Sequence, residues 1–141
     1  MSRENVELVR RLYTELFSGG SAPEFKARLT DDALSAFLDP EIEWIPVPGS
    51  LLAVDRYRGF DGVRRLWNEF VAAFDDYRVE TSRIDGTGDQ VAVVVHITGR
   101  KQTIEVGDTR SSLLTIRDGR VVRVEGFAEP EGAREAIGLP S

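Results

Sequence analysis

Cysteine is absent from this sequence, so it has no disulfide framework, thiolate zinc site or thiol nucleophile. Histidine occurs once, which excludes a multi-histidine metal site within one chain. Basic residues number 18 against 24 acidic ones, a formal net charge of −6, and the basic ones are scattered Arg apart from Lys26 and Lys101. Nucleic acid is not expected as a partner, because neutralising phosphates needs a clustered basic surface. No apolar run approaches the ~20 residues of a membrane span. The stretch "MSRENVELVRRLY" lacks the apolar core of a signal peptide. The Gly-x-Gly of "DGTGD" lies between strand patterns with no helix behind it, and no Ser sits in a nucleophile elbow. The expectation is a cytoplasmic protein without cofactor or metal, forming one domain over residues 1–141, a length that suits one buried core.

What is present divides by period. Ser2 is placed to cap a first helix running to about Ser18, in which Val6, Val9, Leu12, Tyr13, Leu16 and Phe17 recur at helical spacing before Gly19-Gly20 stops it. "APEFKARLTDDALSAFL" reads as one or two shorter helical pieces, and the Pro-rich "EIEWIPVPG" as an edge strand leading into a loop. A helix follows Gly59, with Asp61 as its expected cap and Val63, Leu66, Trp67, Phe70, Val71 and Phe74 on one apolar face. After Tyr77 the pattern alternates. "YRVETSRI", "QVAVVVHITGRK", "TIEVGDTRSSLLTIR" and "RVVRVEGF" read as antiparallel strands, the last two joined by the Asp-Gly turn of "RDGR". "PEGAREAIG" closes the sequence as a short helix, Pro130 suiting its first turn and Gly138 its end. Helices first and a strand meander afterwards imply an α+β fold with helices on one face of a curved sheet.

The Asp-Gly turn predicts a register. If Arg117 and Arg120 flank a two-residue loop, Ile116 pairs with Val121, Leu114 with Arg123 and Ser112 with Glu125. Glu125 then shares a face with Ser112, Leu114, Ile116 and Phe127, while Leu113, Thr115, Val122 and Val124 take the other. A bulge beyond Ser112 would shift this parity. Both faces are partly apolar, and one set of helices covers only one of them. The other face is therefore expected to meet a second copy, giving a homodimer through the sheet.

The order of elements, with "LDPEIEW", "YRGFDGVRRLW" and "IRDGRVVRVEGF", resembles the SnoaL-like branch of the nuclear transport factor 2-like, or ketosteroid isomerase-like, superfamily over nearly the whole sequence. The resemblance implies a cone-shaped curved antiparallel sheet with N-terminal helices packed on its concave face, a pocket between them, and a dimer. It also implies a small-molecule protein, since relatives include ketosteroid isomerase, polyketide cyclases, limonene epoxide hydrolase and scytalone dehydratase beside members that only bind partners. One fold hosting such different chemistry does not itself supply a function. "RVEGFAE" is similar to the segment carrying the acid of limonene epoxide hydrolase, which would make Glu125 that acid. Ile42 and Trp44 stand where that enzyme has its water-positioning Tyr and Asn, and "VVVHITG" carries His96 in place of its Arg-x-Asp pair.

Glu125 is the first candidate for an acid or base, because a dry cone would push its carboxyl toward the neutral form. The bland alternative is an ion pair with Arg123 or Arg110. His96, on a strand face with Ala92, Val94 and Thr98, is its candidate partner in proton transfer; a lone strand His more often satisfies an ordinary hydrogen bond. Trp44 and Tyr57 flank "IPVPGSLLAVDRYRG" and would position substrate by stacking and hydrogen bonding, with plain packing as the alternative. Tyr13, Ser112, Leu114 and Phe127 would complete the substrate wall. The leading expectation is a cofactor-independent enzyme performing proton transfer on an apolar substrate as an isomerase, cyclase, dehydratase or hydrolase. The rival is a non-catalytic module that binds a hydrophobic ligand or a protein.

Overall fold

In the computed structural model residues 2–48 and 55–139 are described. The helical and alternating periods of the sequence become two layers. Helix α1 (Ser2–Glu15) presents Val9, Leu12 and Tyr13 to the core, and Leu16 and Phe17 continue that buried face beyond its end. Gly19–Gly20 then forms strand β1, pairing with Tyr77 and Arg78. A Cβ on Gly19 would stand 2.8 Å from the Tyr77 carbonyl oxygen, so only Gly fits there. The next segment makes two short helices, α2 (Ala22–Arg28) and α3 (Asp31–Ser35), the second capped by Thr30 Oγ1, which accepts from the Ala33 N–H at 3.2 Å.

Strands β2 (Leu38–Ile45) and β3 (Tyr57–Arg58), helix α4 (Gly59–Val71), strands β4 (Asp76–Thr87), β5 (Gln90–Lys101), β6 (Ile104–Arg117) and β7 (Arg120–Phe127), and helix α5 (Gly132–Ala136) complete the order. They form one seven-stranded sheet in the order β1-β4-β5-β6-β7-β2-β3. The meander is antiparallel as its turns require, but β2 joins it parallel to β7. Along most of its length β2 is bordered by β7 alone, since β3 meets it only at Glu43 and Trp44, which suits the prolines that follow. Helix α4 starts three residues earlier than it would with Asp61 as its cap. Arg58 holds the cap position without a side-chain bond, and Asp61 sits in the first turn, accepting from Arg64.

The sheet curls around α1 and α4, which bury Val9, Leu12, Val63, Leu66 and Trp67 against Val91, Val93, Leu114 and Val124. Irregularities concentrate the bending: the register shifts once between Thr81 and Arg83 on β4 and once between Thr115 and Ile116 against β7. Gly99 faces the Phe74 ring, which a Cβ there would meet at 2.5 Å, so this glycine lets the segment that follows α4 lie against the sheet.

The second irregularity corrects the predicted register. Asp118 and Gly119 both take positive φ, 53° and 76°, as the Asp-Gly turn requires. Ile116 does pair with Val121, but Thr115 then pairs with Arg123, leaving Val122 as an extra residue on β7. Every later pairing moves by one: Leu114 lies opposite Val124, Leu113 opposite Glu125 and Ser112 opposite Gly126. Val124 therefore faces inward with Leu114, and Glu125 and Phe127 face outward. The outer face is also not left entirely open. Helix α5 folds back onto it, packing Ala133 and Ile137 against Ala92, Leu113 and Phe127. Ser111 anchors this return: its hydroxyl donates to the Glu129 carbonyl at 2.7 Å and accepts from the Ala133 N–H at 3.0 Å. Arg134, buried beneath the helix, pairs with Asp85 on β4.

Candidate functional site

The inner face of the curled sheet and the helices enclose a cavity of about 50 Å³ that opens to solvent. Its floor is aromatic. Trp67 of α4 stacks on Phe17 and Phe25 with centroids 4.6 and 5.4 Å away, and meets Trp44 of β2 edge-on at 6.0 Å. Phe70 and Tyr77 continue this cluster, their rings stacked at 6.1 Å. The sheet contributes Val79, Val95 and Ile97 at inward positions of β4 and β5. Gly126 of β7 has no side chain to project, so Pro46 and Val47 lie directly over it, closing that side of the cavity.

Four polar side chains join this lining: Tyr13, Tyr77, Ser112 and Arg110. Burial pushes the Tyr13 phenol up to about 12, opposed by its hydrogen bond with the Ser112 hydroxyl. The Tyr77 phenol is pushed up as well, chiefly by burial, with the charges of Arg110 and Asp108 acting on it in opposite directions. Both tyrosines are therefore neutral hydrogen-bonding groups throughout the physiological range. Arg110 donates through Nε and Nη2 to Asp108 Oδ2, at 2.9 and 2.7 Å. Trp67 Nε1 is buried without a hydrogen-bond partner among the described residues. No Asp, Glu or His is among the described residues that line the cavity, and no group of three His, Cys, Asp or Glu among them is arranged to hold a metal ion.

Of the residues singled out from sequence, the structure brings together Tyr13, Trp44 and Ser112 in this lining. Leu114 faces the same way one inward position deeper, fully buried in the core. Glu125 and Phe127 do not join them. Glu125 stands on the outer face, with its side chain 37% exposed and 3.7 Å from Arg123; the extra residue Val122 put it there. Phe127 packs under α5. His96 is also on the outer face, exposed, with Nδ1 3.0 Å from Thr109 Oγ1. It does not approach Glu125. Ala92 lies in the cross-strand row of Leu113 and Glu125, and His96 stands four residues further along β5, ~13 Å away by strand rise alone. Tyr57 is buried, with its hydroxyl donating to the Glu69 carboxylate and Arg65 over its ring, rather than in the cavity wall. Residues 49–54, within the stretch "IPVPGSLLAVDRYRG", lie outside the described residues.

Tyr77 has no site role in the sequence reading, which weighs Arg110 as a contact for an anionic group against the commoner solvated pair with Asp108. Tyr77 opens β4 where the period changes from helical to alternating, and counting inward from Val79 would have found it. Arg110 is readable as an inward neighbour of Ser112, two residues away on one strand.

Comparison with known proteins fits this architecture. The SnoaL-like domain family matches residues 9–124. No curated protein matches the sequence significantly. Among solved structures, a SnoaL-like protein of Jannaschia sp. CCS1 superposes with TM-score 0.69 at 20% identity, over 99% of this chain and 95% of that one. TerC, co-crystallised with polyporic acid, gives 0.68 at 18% identity, covering 95% and 98%. An LEH-like epoxide hydrolase of M. tuberculosis gives 0.64 at 16% identity, covering 95% and 84%. Identities this low establish the fold alone. The match of the family to most of the sequence goes further: this chain belongs to the SnoaL-like domain family, on a nuclear transport factor 2-like fold.

Proposed function

We propose that this protein binds a small, mainly apolar molecule in the cone between α1, α4 and the curled sheet. The observation that carries the reading is the lining itself: stacked rings and aliphatic side chains, interrupted by the hydroxyls of Tyr13, Tyr77 and Ser112 and by the guanidinium of Arg110, in a cavity open to solvent. TerC, of the same fold, was crystallised with polyporic acid, which lends support to the cone as the place of binding. The outer-face positions of Glu125 and His96 favour the binding-module alternative over proton transfer between those two residues. The direct test is to follow Trp44 and Trp67, the two tryptophans of the sequence, by the NMR signals of their indole N–H groups while apolar ring compounds are added. Shifts that vanish when Ser112→Phe fills the cavity support the reading; no shift with any compound sinks it.

A catalytic reading is favoured by one specific feature, the Tyr13–Ser112 hydroxyl pair. A buried phenol that stays protonated donates a hydrogen bond to a carbonyl oxygen and strengthens it as negative charge develops, which promotes enolisation. Loss of turnover in Tyr13→Phe with unchanged ligand affinity would support it. A homodimer through the sheet would use the part of the outer face that α5 leaves uncovered, beside His96, Thr98 and Thr109, and sedimentation equilibrium tests it. Among the described residues no helix is long and apolar enough to cross a membrane; placement in the cytoplasm rests on the sequence reading.

A further inference from the structure

The geometry points to a monocarboxylate on an apolar body as the ligand class, anchored by the guanidinium of Arg110. This rests on the reading that the cone binds a small apolar molecule. Arg110 occupies an inward position of β6 and lines the cavity together with Tyr77, Ile97 and Phe70. Its side chain is only 24% exposed, so a permanent cation lies mostly buried against an apolar wall. Such a charge is costly to bury without a partner. The protein supplies that partner on one edge only. Nε and Nη2 both donate to the same oxygen of Asp108, whose side chain is 54% exposed and lies two residues nearer the hairpin tip. A guanidinium has five N–H donors, and the remaining ones find no acceptor among the described residues. The end of the fork formed by Nη1 and Nη2 is thus free for a planar carboxylate, the geometry an Arg recognises best.

The rest of the lining agrees with an anion. No carboxylate among the described residues lines the cavity itself, and Asp108, which sits on the Nε–Nη2 edge of Arg110, is the acid that an incoming one would compete with. The next inward residue of β6 is Ser112, ~7 Å deeper by strand rise, hydrogen-bonded to Tyr13. These hydroxyls offer a second contact for an oxygen on the same molecule. The cavity, at about 50 Å³, admits a polar head rather than a whole ligand. The apolar body then rests on Phe70, Ile97 and Val47, which line the same opening.

The test compares 2-naphthoate with 2-naphthamide, two probes of one shape that differ in charge, by titrating each into the full protein and following the two indole N–H signals. Binding of the naphthoate is expected to be about tenfold tighter or more, as a charge-assisted pair in a partly dry site allows. Arg110→Gln is expected to erase that preference while leaving the amide's affinity in place. Asp108→Asn, which removes the competing carboxylate, is expected to tighten naphthoate binding severalfold. Equal affinities of the two probes would overturn the anchor and leave cavity binding standing. If neither probe moves the indole signals, the cavity reading fails and the anchor with it. Should Arg110→Gln not fold, unchanged naphthoate affinity in Asp108→Asn counts against the anchor.

Discussion

The two faces of this sheet are made by alternate residues of the same strands, yet they are chemically opposite. On β7, Val124 and Gly126 face inward, while Arg123 and Glu125 face outward as an ion pair. On β5, Val95 and Ile97 line the cavity, while His96 between them is exposed and bonded to Thr109. Acids and the lone imidazole are on the wet side; the inner side keeps neutral hydroxyls, one guanidinium and carbon. Water explains the division, since an unpaired carboxylate inside the cone would pay a desolvation penalty that an outward one avoids. The comparison teaches that the identity of a residue such as Glu125 says little about its role until the parity of its strand is known. Here a single bulged residue decides that parity.

The sharpest way to break the contrast is to place a carboxylate on the inner face with Val124→Glu. That residue lies opposite Leu114 on the inner face, so the new carboxylate would be buried without a partner. A loss of about 4 kcal/mol or more, or failure to fold cooperatively, is expected in urea unfolding. Next in size is Trp67→Ala, which removes the ring joining Phe17, Phe25, Trp44, Phe70 and Tyr77. Its expected cost is about 3–5 kcal/mol, measured the same way.

A smaller effect tests the dryness of the inner face. Tyr13 ionises at about 12 in the folded protein and at about 10 when unfolded. Because the folded value is the higher one, its stability contribution is fully present below about pH 10 and is lost as pH rises toward 12. The loss is expected to reach about 2–3 kcal/mol, to be read from unfolding curves at pH 9 and 11.5. The Tyr77 phenol shifts in the same direction, so Tyr13→Phe should flatten the slope without abolishing it. Smallest of all are the outer-face changes. Glu125→Gln and His96→Ala are expected to alter stability by no more than about 0.5 kcal/mol and to leave naphthoate binding unchanged.

How much of this was legible beforehand follows from what leaves a mark in sequence. Helices α1 and α4 announce themselves because one face of each must be apolar, and Asp118-Gly119 marks its turn because few other pairs tolerate positive φ twice. The α+β cone, with Tyr13, Trp44 and Ser112 in its wall, was readable on those grounds together with the family resemblance. The bulge was not, because Val121 and Val122 are both good strand residues and nothing distinguishes the paired one from the extra one. That silence misplaced Glu125 and Phe127. The return of α5 over the outer face depends on Ser111 meeting Ala133 and Arg134 meeting Asp85 across long stretches of chain, which local patterning does not encode.

The parallel pairing of β2 with β7 has a consequence for how the protein is made. Leu38 emerges from the ribosome long before Val121, its neighbour in the sheet. Until β7 appears, β2 has at most the two-residue β3 beside it, and the aromatic floor built on Trp44 and Trp67 lacks its closing wall. Pairing between such distant segments is slow, because a long loop must close before the contact repays it. The nascent chain therefore carries β2 without its main partner in the sheet until β7 has been made.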